Sequence, residues 1–316
     1  MSFLISILGL VILLLAGDIL VRGAVNASLR LGVPALVVSL TIVSIGTSTP
    51  ELLIAIGSVV NGVPGLAVGN VIGSNTANIL LVLGLPAMLV GLNTGNCDTR
   101  ESYWQMLAAT ALFVAIAFLT PITWLHGVIL LGGFVAFIGH AVLTARRHQL
   151  ASAKLESATL EVEGADPQMP WWRIGVYLVL GLAGLPLGAD LLVSSATEIA
   201  RHYQVSETVI GLTLVAIGTS LPELATTVAA AFRRQADVAL GNVIGSNIAN
   251  ILAILGVAAF FGDIPVSQSV LQFDLWVMVA ASLALIPFAL GRRNISRAWG
   301  AGFTALYAVY VVYVLT

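Results

Sequence analysis

Cysteine is almost absent from this chain of 316 residues: Cys97 stands alone. That excludes a disulfide framework within the chain, and a lone thiol at a loop edge reads as incidental. Charge is nearly as scarce. Asp, Glu, Lys and Arg make up 9% of the residues, against roughly 25% in soluble globular proteins. Hydrophobic residues make up 59%, and the mean hydropathy is +1.02. These values exclude a soluble globular domain and place the chain in a bilayer, with loops too short to form one. The net charge of −2 says little about partners, because where the charges lie matters more than their sum. The first residues, MSFLISILGLVILLLAGDIL, lack both a basic leading region and a clear A-x-A cleavage site. They read as a retained first span.

What the chain has in abundance is long apolar runs. Ten of them, near 3–21, 34–60, 66–92, 103–120, 124–145, 172–196, 206–232, 238–261, 271–290 and 297–315, can each cross roughly 30 Å of hydrocarbon as a helix. Helices are expected because lipid offers backbone groups no water to bond. A barrel would need alternating strands of about ten residues, and these runs are uniformly apolar. The expected fold is therefore an all-α polytopic membrane protein. One long polar segment, 146–171, separates five spans from five. It divides the chain into a first five-helix unit (1–146), a linker (147–171), partly helical, and a second unit (172–316).

The two units repeat each other. GTSTPEL at 46–52 returns as GTSLPEL at 218–224, and GNVIGSN at 69–75 returns at 241–247. Both pairs are offset by 172 residues, as are LAGDILV at 15–21 and LGADLLV at 187–193. Chance likeness among apolar residues does not align Pro, Glu, Asn, Gly and Ser in one register. With the N-terminus outside, Arg22, Arg30, Arg100, Arg146, Arg147, Lys154, Arg173, Arg233, Arg234, Arg292, Arg293 and Arg297 fall on the cytoplasmic side and only Arg201 outside. This bias predicts both termini outside and the linker cytoplasmic. An odd number of spans per half then makes the two five-helix repeats inverted, a recurrent plan for transporters with a site at the midplane.

The repeats carry the chemistry. Glu51 and Glu223 sit in otherwise apolar runs, where a carboxylate is costly unless it is paired, hydrated or bound to a cation. Each follows Gly-Thr-Ser-x-Pro. Proline cannot donate a backbone hydrogen bond and disfavours helix at the residue before it. Each helix is therefore expected to break near Thr47-Ser48 or Thr219-Ser220 and to restart with Pro50 or Pro222 in its first turn, freeing backbone carbonyls. In the second motif, Asn70, Ser74 and Asn78 form a polar stripe at four-residue spacing, as do Asn242, Ser246 and Asn250. Ser74, Asn78, Ser246 and Asn250 read as ligands, with interhelical hydrogen bonding the competing role. Asn70, Asn75, Asn242 and Asn247 read equally as interhelical glue or as gap-formers. These donors are all oxygens, which suits hard cations such as Ca²⁺ and Na⁺. The −2 of two carboxylates balances one Ca²⁺ or two Na⁺. The residues alone do not select Ca²⁺ among hard cations.

GTSTPE with GSNTAN, and GTSLPE with GSNIAN, resemble the paired alpha-repeats of the cation/calcium exchanger superfamily. The layout is similar to its prokaryotic sodium/calcium exchangers over essentially the whole chain, with alpha-1 at 46–78 and alpha-2 at 218–250. The resemblance implies an antiporter that uses Na⁺ to extrude Ca²⁺ by alternating access. It implies Thr47, Glu51, Thr219 and Glu223 as central ligands. Ser44, Ser48, Ser74, Asn78, Ala216, Ser220, Ser246 and Asn250 would flank them, with Ser44 and Ala216 acting through backbone carbonyls. It also implies that the first and sixth helices, with Asp18, Gly23 and Asp190, slide across a fixed core. Two departures matter. Asn78 and Asn250 stand where some relatives carry Asp, which weakens the case for K⁺ co-transport. The large calcium-sensing loop of animal exchangers is absent.

Three other functions compete. H⁺/Ca²⁺ antiport is open to glutamates whose pKa rises on desolvation, although that branch usually carries a different acid motif. A passive cation channel fits poorly with inverted repeats around broken helices. An intramembrane protease would need an Asp pair or H-E-x-x-H, and neither occurs. His126, His140, His148 and His202 lie outside the motifs. No cofactor and no nucleic acid is expected. The expected partners are the transported ions and the lipid of the cell membrane.

Overall fold

A computed structural model describes residues 2–152, 166, 168–204 and 218–315. Those residues are helical apart from short connections. Two isolated backbone pairings, Leu92 with Ile295 and Ile122 with Ile264, stitch loops together. In chain order the helices are α1 (Ser2–Leu31), α2 (Ala35–Thr47), α3 (Thr49–Val60), α4 (Gly65–Val90), α5 (Arg100–Ala117), α6 (Trp124–Ser152), α7 (Trp171–His202), α8 (Leu221–Phe232), α9 (Ala236–Ala258), α10 (Val270–Ala289) and α11 (Arg297–Leu315). By length and composition α1, α4, α6, α7, α9 and α10 can each cross a membrane, and the bent pair α2 and α3 makes a further span if counted as one.

Apolar composition makes these helices, and special residues end them. α1 continues to Leu31, ten residues past the expected end of the first span. Asp18 and Arg22 do not stop it, because they pair with each other one turn apart at 3.1 Å. Gly32, at φ +65°, ends it, a conformation that favours glycine. α6 likewise runs on to Ser152, so the start of the expected linker is helical. The first half of the span expected at 206–232 lies outside the described residues.

Burial sorts the helices into layers. α9 is enclosed on nearly all sides and α4 on most, whereas α6 and α7 present most of their surface outward. Phe3, Leu4, Leu53, Leu66, Val135 and Val179 are among the many exposed apolar side chains. An exposed apolar surface of this extent belongs against lipid. All six tryptophans are at least half exposed or nearly so, and they cluster close to helix starts: Trp104, Trp124, Trp171, Trp172, Trp276 and Trp299. That is where indole rings settle at a membrane interface.

α1 and α7 form a tight antiparallel pair. A Cβ added at Gly9 would meet the Leu192 nitrogen at 2.7 Å, and one added at Gly181 would meet the Leu20 Cβ at 2.6 Å. Only glycine permits that approach, the usual means of close helix contact where no water drives packing. The pair carries its own apolar cluster around Leu13, Ala16, Leu20, Leu185 and Ala189, distinct from the large cluster centred on α4 and α9.

Candidate cation site

The first motif helix breaks where the Gly-Thr-Ser-x-Pro sequence loosens it, and in the second motif α8 starts at the matching point. α2 and α3 meet at Ser48 with a bend of 43°. Ser48 has φ −84° and ψ 9°, and Ser220, before α8, has φ −86° and ψ 3°. Neither value continues a helix. Pro50 and Pro222 fall in the first turns of α3 and α8, where a missing N–H costs nothing. Glu51 and Glu223 occupy the same first turns, at the positive end of the helix dipole. The carbonyls that end α2 lie at a negative end, which favours a cation.

The second motif adds its own irregularity. α4 widens into a π-helical turn over Asn78–Leu83 and α9 over Asn250–Ile254. Such turns gather at functional sites, and both begin on an expected ligand.

Each expected site residue that is described is buried, from Ser44 and Ser246 at 0% to Thr219 at 8% exposed. These residues are Ser44, Thr47, Ser48, Glu51, Ser74, Asn78, Thr219, Ser220, Glu223, Ser246 and Asn250. Ala216 lies outside the described residues. The two halves meet at the breaks. Ser48 donates from Oγ to Glu223 Oε1 at 3.1 Å. The Thr47 hydroxyl has three acceptors in reach: the Ser44 carbonyl at 3.2 Å, Asn242 Oδ1 at 3.3 Å and the Glu223 carboxylate. The Glu51 and Glu223 carboxylates are close enough to interact electrostatically.

A ring of amides holds α4 against α9. Asn75 Nδ2 donates to the Asn247 carbonyl at 3.3 Å, and Asn247 Nδ2 donates back to the Asn75 carbonyl at 3.4 Å. Asn78 Nδ2 donates to Asn247 Oδ1 at 3.0 Å, and Asn250 Nδ2 to Asn75 Oδ1 at 3.0 Å. Shifting any of these residues by 172 reproduces the ring. Asn75 and Asn247 are therefore interhelical glue, one of the two roles their sequence left open. Asn78 and Asn250 spend their N–H groups on the ring and keep their Oδ1 atoms free.

Those free oxygens belong to a larger set on the repeated motifs. Glu51 Oε2, Glu223 Oε2, Asn78 Oδ1, Asn250 Oδ1, Ser220 Oγ and Ser246 Oγ are all buried without a hydrogen-bond partner. Buried polar atoms are nearly always paired, and each orphan costs about 1–3 kcal/mol, more if charged. Six orphan oxygens on the repeated motifs are a set of acceptors that a hard cation can satisfy. Among the described residues no three His, Cys, Asp or Glu side chains gather, so the charge of the set comes from two glutamates.

One positioning residue escaped sequence reasoning. Thr227, one turn beyond Glu223 on α8, accepts from Asn242 Nδ2 at 3.2 Å, and the same Nδ2 reaches the Glu223 carbonyl at 3.2 Å. The four-residue spacing from Glu223 was the available signal. In the first half Ala55 stands in place of Thr227, and Asn70 Nδ2 is buried without a partner.

Long apolar helices around a buried all-oxygen cluster define a multi-pass helical membrane protein with the makings of an ion carrier. The comparisons make this specific: the chain belongs to the sodium/calcium exchanger protein family, whose model matches residues 1–143 and 174–316, within the cation/calcium exchanger superfamily. The sodium/calcium exchanger MaX1 of Methanosarcina acetivorans is 33% identical over 98% of this chain and 97% of its own. The inner membrane protein YrbG of Escherichia coli is 32% identical over 88% of this chain and 85% of its own. The solved structure of the sodium-calcium exchanger NCX_Mj, soaked with Na⁺ and Sr²⁺, superposes with a TM-score of 0.81 at 33% identity, covering 98% of this chain and 97% of that one. The family is one of membrane exchangers, so cation/Ca²⁺ exchange is the activity in which the chain's own site has to be understood.

Proposed function

We propose that this protein is a secondary active antiporter that exchanges Na⁺ for Ca²⁺ by alternating access, electrogenically and without K⁺. The observation that carries the reading is the set of six buried orphan oxygens on the duplicated motifs. Thr47, Glu51, Thr219 and Glu223 are the central ligands; Ser44, Ser48, Ser74, Asn78, Ala216, Ser220, Ser246 and Asn250 flank them. Ca²⁺ neutralises the two carboxylates and takes several oxygens at once. Na⁺ competes for the same oxygens, and a third Na⁺ leaves net positive charge, which makes exchange sensitive to membrane potential. Asn at 78 and 250 supplies no further carboxylate for K⁺.

The proposed frame is ten spans in two inverted five-helix repeats, 1–146 and 172–316, joined by a cytoplasmic linker at 147–171, with both termini outside. Contacts that map onto one another under the 172-residue shift support it: the amide ring, and Gly9 on Leu192 with Gly181 on Leu20 across an antiparallel pair. Ca²⁺ uptake into Na⁺-loaded proteoliposomes, compared with K⁺-loaded and acid-loaded ones, tests the reading. Uptake driven by the Na⁺ gradient alone is expected. Uptake driven by the proton gradient alone would overturn Na⁺ coupling, and a strict need for K⁺ would overturn K⁺ independence.

A further inference from the structure

The end of the molecule that carries most of the arginines holds a cavity lined by none of the cation-site residues. It measures about 650 Å³ and lies between the ends of α4 and α8 and the starts of α9 and α11. Arg234, Arg297, Asn93, Asn294 and Ser296 give it its polar lining. Hydrogen bonds tie its floor together: Leu92 and Ile295 exchange backbone bonds at 2.9 and 3.1 Å, and Thr94 Oγ1 donates to the Arg293 carbonyl at 2.7 Å.

Four observations give the cavity a ligand. Arg234 and Arg297 are cations, and among the described residues no carboxylate lies within ion-pair distance of either. The adjacent Arg233 turns the other way, to Asp18. The nearest acidic residue in sequence, Asp237, is engaged by Cys97 and does not line the cavity. Second, Arg234 sits at φ +57°, a left-handed conformation that a side chain with a Cβ adopts at a cost. Its counterpart 172 residues earlier is Gly62, at φ +77°. The first repeat fills this turn with the residue the backbone prefers, and the second keeps an arginine there. Third, the N-terminus of α11 opens on the cavity at Ser296 and Arg297, and Ser296 Oγ accepts from the Trp299 N–H at 3.4 Å. Fourth, the lining includes the half-exposed Phe232 and the apolar Val90 and Leu92, an apolar margin of the kind acyl chains cover.

We infer that this cavity binds the phosphate group of an anionic phospholipid. Two arginines supply charge-assisted hydrogen bonds to phosphate oxygens, the helix terminus adds N–H donors and a favourable dipole, and the Asn side chains reach the glycerol hydroxyls. The acyl chains run out past Phe232 and Val90. Basic pockets between helices at the headgroup level recognise anionic lipid in this way. The inference requires only that the protein spans a membrane, and it stands whatever ion is carried.

Thermal unfolding of the whole detergent-purified protein tests it, with dioctanoyl phosphatidylglycerol, dioctanoyl phosphatidylcholine and sodium phosphate as separate additions. The anionic lipid is expected to raise the wild-type midpoint by several degrees, while the other two leave it unchanged. Arg234→Gly copies Gly62 and suits the backbone, so without lipid it should unfold no earlier than wild type. It should bind phosphatidylglycerol about tenfold more weakly. Arg297→Gln, which leaves that turn alone, should show the same loss. An equal response to phosphatidylcholine, an equal response to phosphate, or an undiminished response to phosphatidylglycerol in both variants would each overturn the assignment.

Discussion

At the scale of single residues, the site depends on charge more than on shape. Glu51→Gln and Glu223→Gln each remove half of its negative charge with almost no change in volume. Each should abolish Ca²⁺ flux in proteoliposomes while the protein still inserts and elutes as wild type; wild-type flux in either would remove that glutamate from the site. Gly245 matters for space instead. A Cβ there would lie 2.5 Å from Ser44 Oγ and 2.6 Å from the Leu40 carbonyl, so α9 could no longer seat against α2. Gly245→Ala should cost about 1–3 kcal/mol of stability through overpacking. Gly57 in α3 meets nothing within 4 Å, and its counterpart is Ala229. Gly57→Ala should be neutral or stabilising by up to ~1 kcal/mol. Unfolding midpoints in one detergent separate the two cases.

At the scale of elements, a salt bridge ties the α1–α7 pair to α8. Asp18 on α1 pairs with Arg233 at the end of α8, as well as with Arg22. The counterparts of Asp18, Arg22 and Arg233 are Asp190, Ser194 and Asn61, so the opposite end of the pair lacks this tie. A double-mutant cycle with Asp18→Asn and Arg233→Asn should give a coupling energy on the order of 1 kcal/mol, and additivity would mean that the pair contributes nothing. Much at this scale was legible in the sequence. Gly-Thr-Ser-x-Pro located the break between α2 and α3 and the start of α8 to within a residue, because proline and its predecessor have few options. The exchanger motifs likewise put the orphan oxygens on the expected side chains. Two features were not legible. The π-helical turns at Asn78 and Asn250 arise from how α4 and α9 pack, which no local pattern encodes. α1 runs ten residues past the expected span, because Asp18 and Arg22 neutralise each other along one helix face. The amide ring was half legible: the polar stripe was visible, but which amide donates to which depends on the approach of two helices far apart in sequence.

At the scale of the whole molecule, orientation rests on the arginines. Single cysteines at Ser2 and Gln168 in a Cys97→Ala background should be labelled from opposite sides of intact cells, Ser2 from outside. Labelling of Gln168→Cys from outside would invert the proposed topology. Cys97 itself should react slowly, since burial and the neighbouring Asp237 push its thiol up and keep it protonated.

The central claim, that the orphan oxygens of the two motifs hold the transported ion, is tested most directly by long-wavelength diffraction from crystals grown in Ca²⁺. The account predicts an anomalous peak bridging Glu51 and Glu223, with oxygens from both repeats at about 2.3–2.6 Å. The peak should be lost in Glu223→Gln and displaced when Na⁺ replaces Ca²⁺. A well-ordered crystal with Ca²⁺ bound elsewhere, or with no Ca²⁺ between the two glutamates, would contradict it.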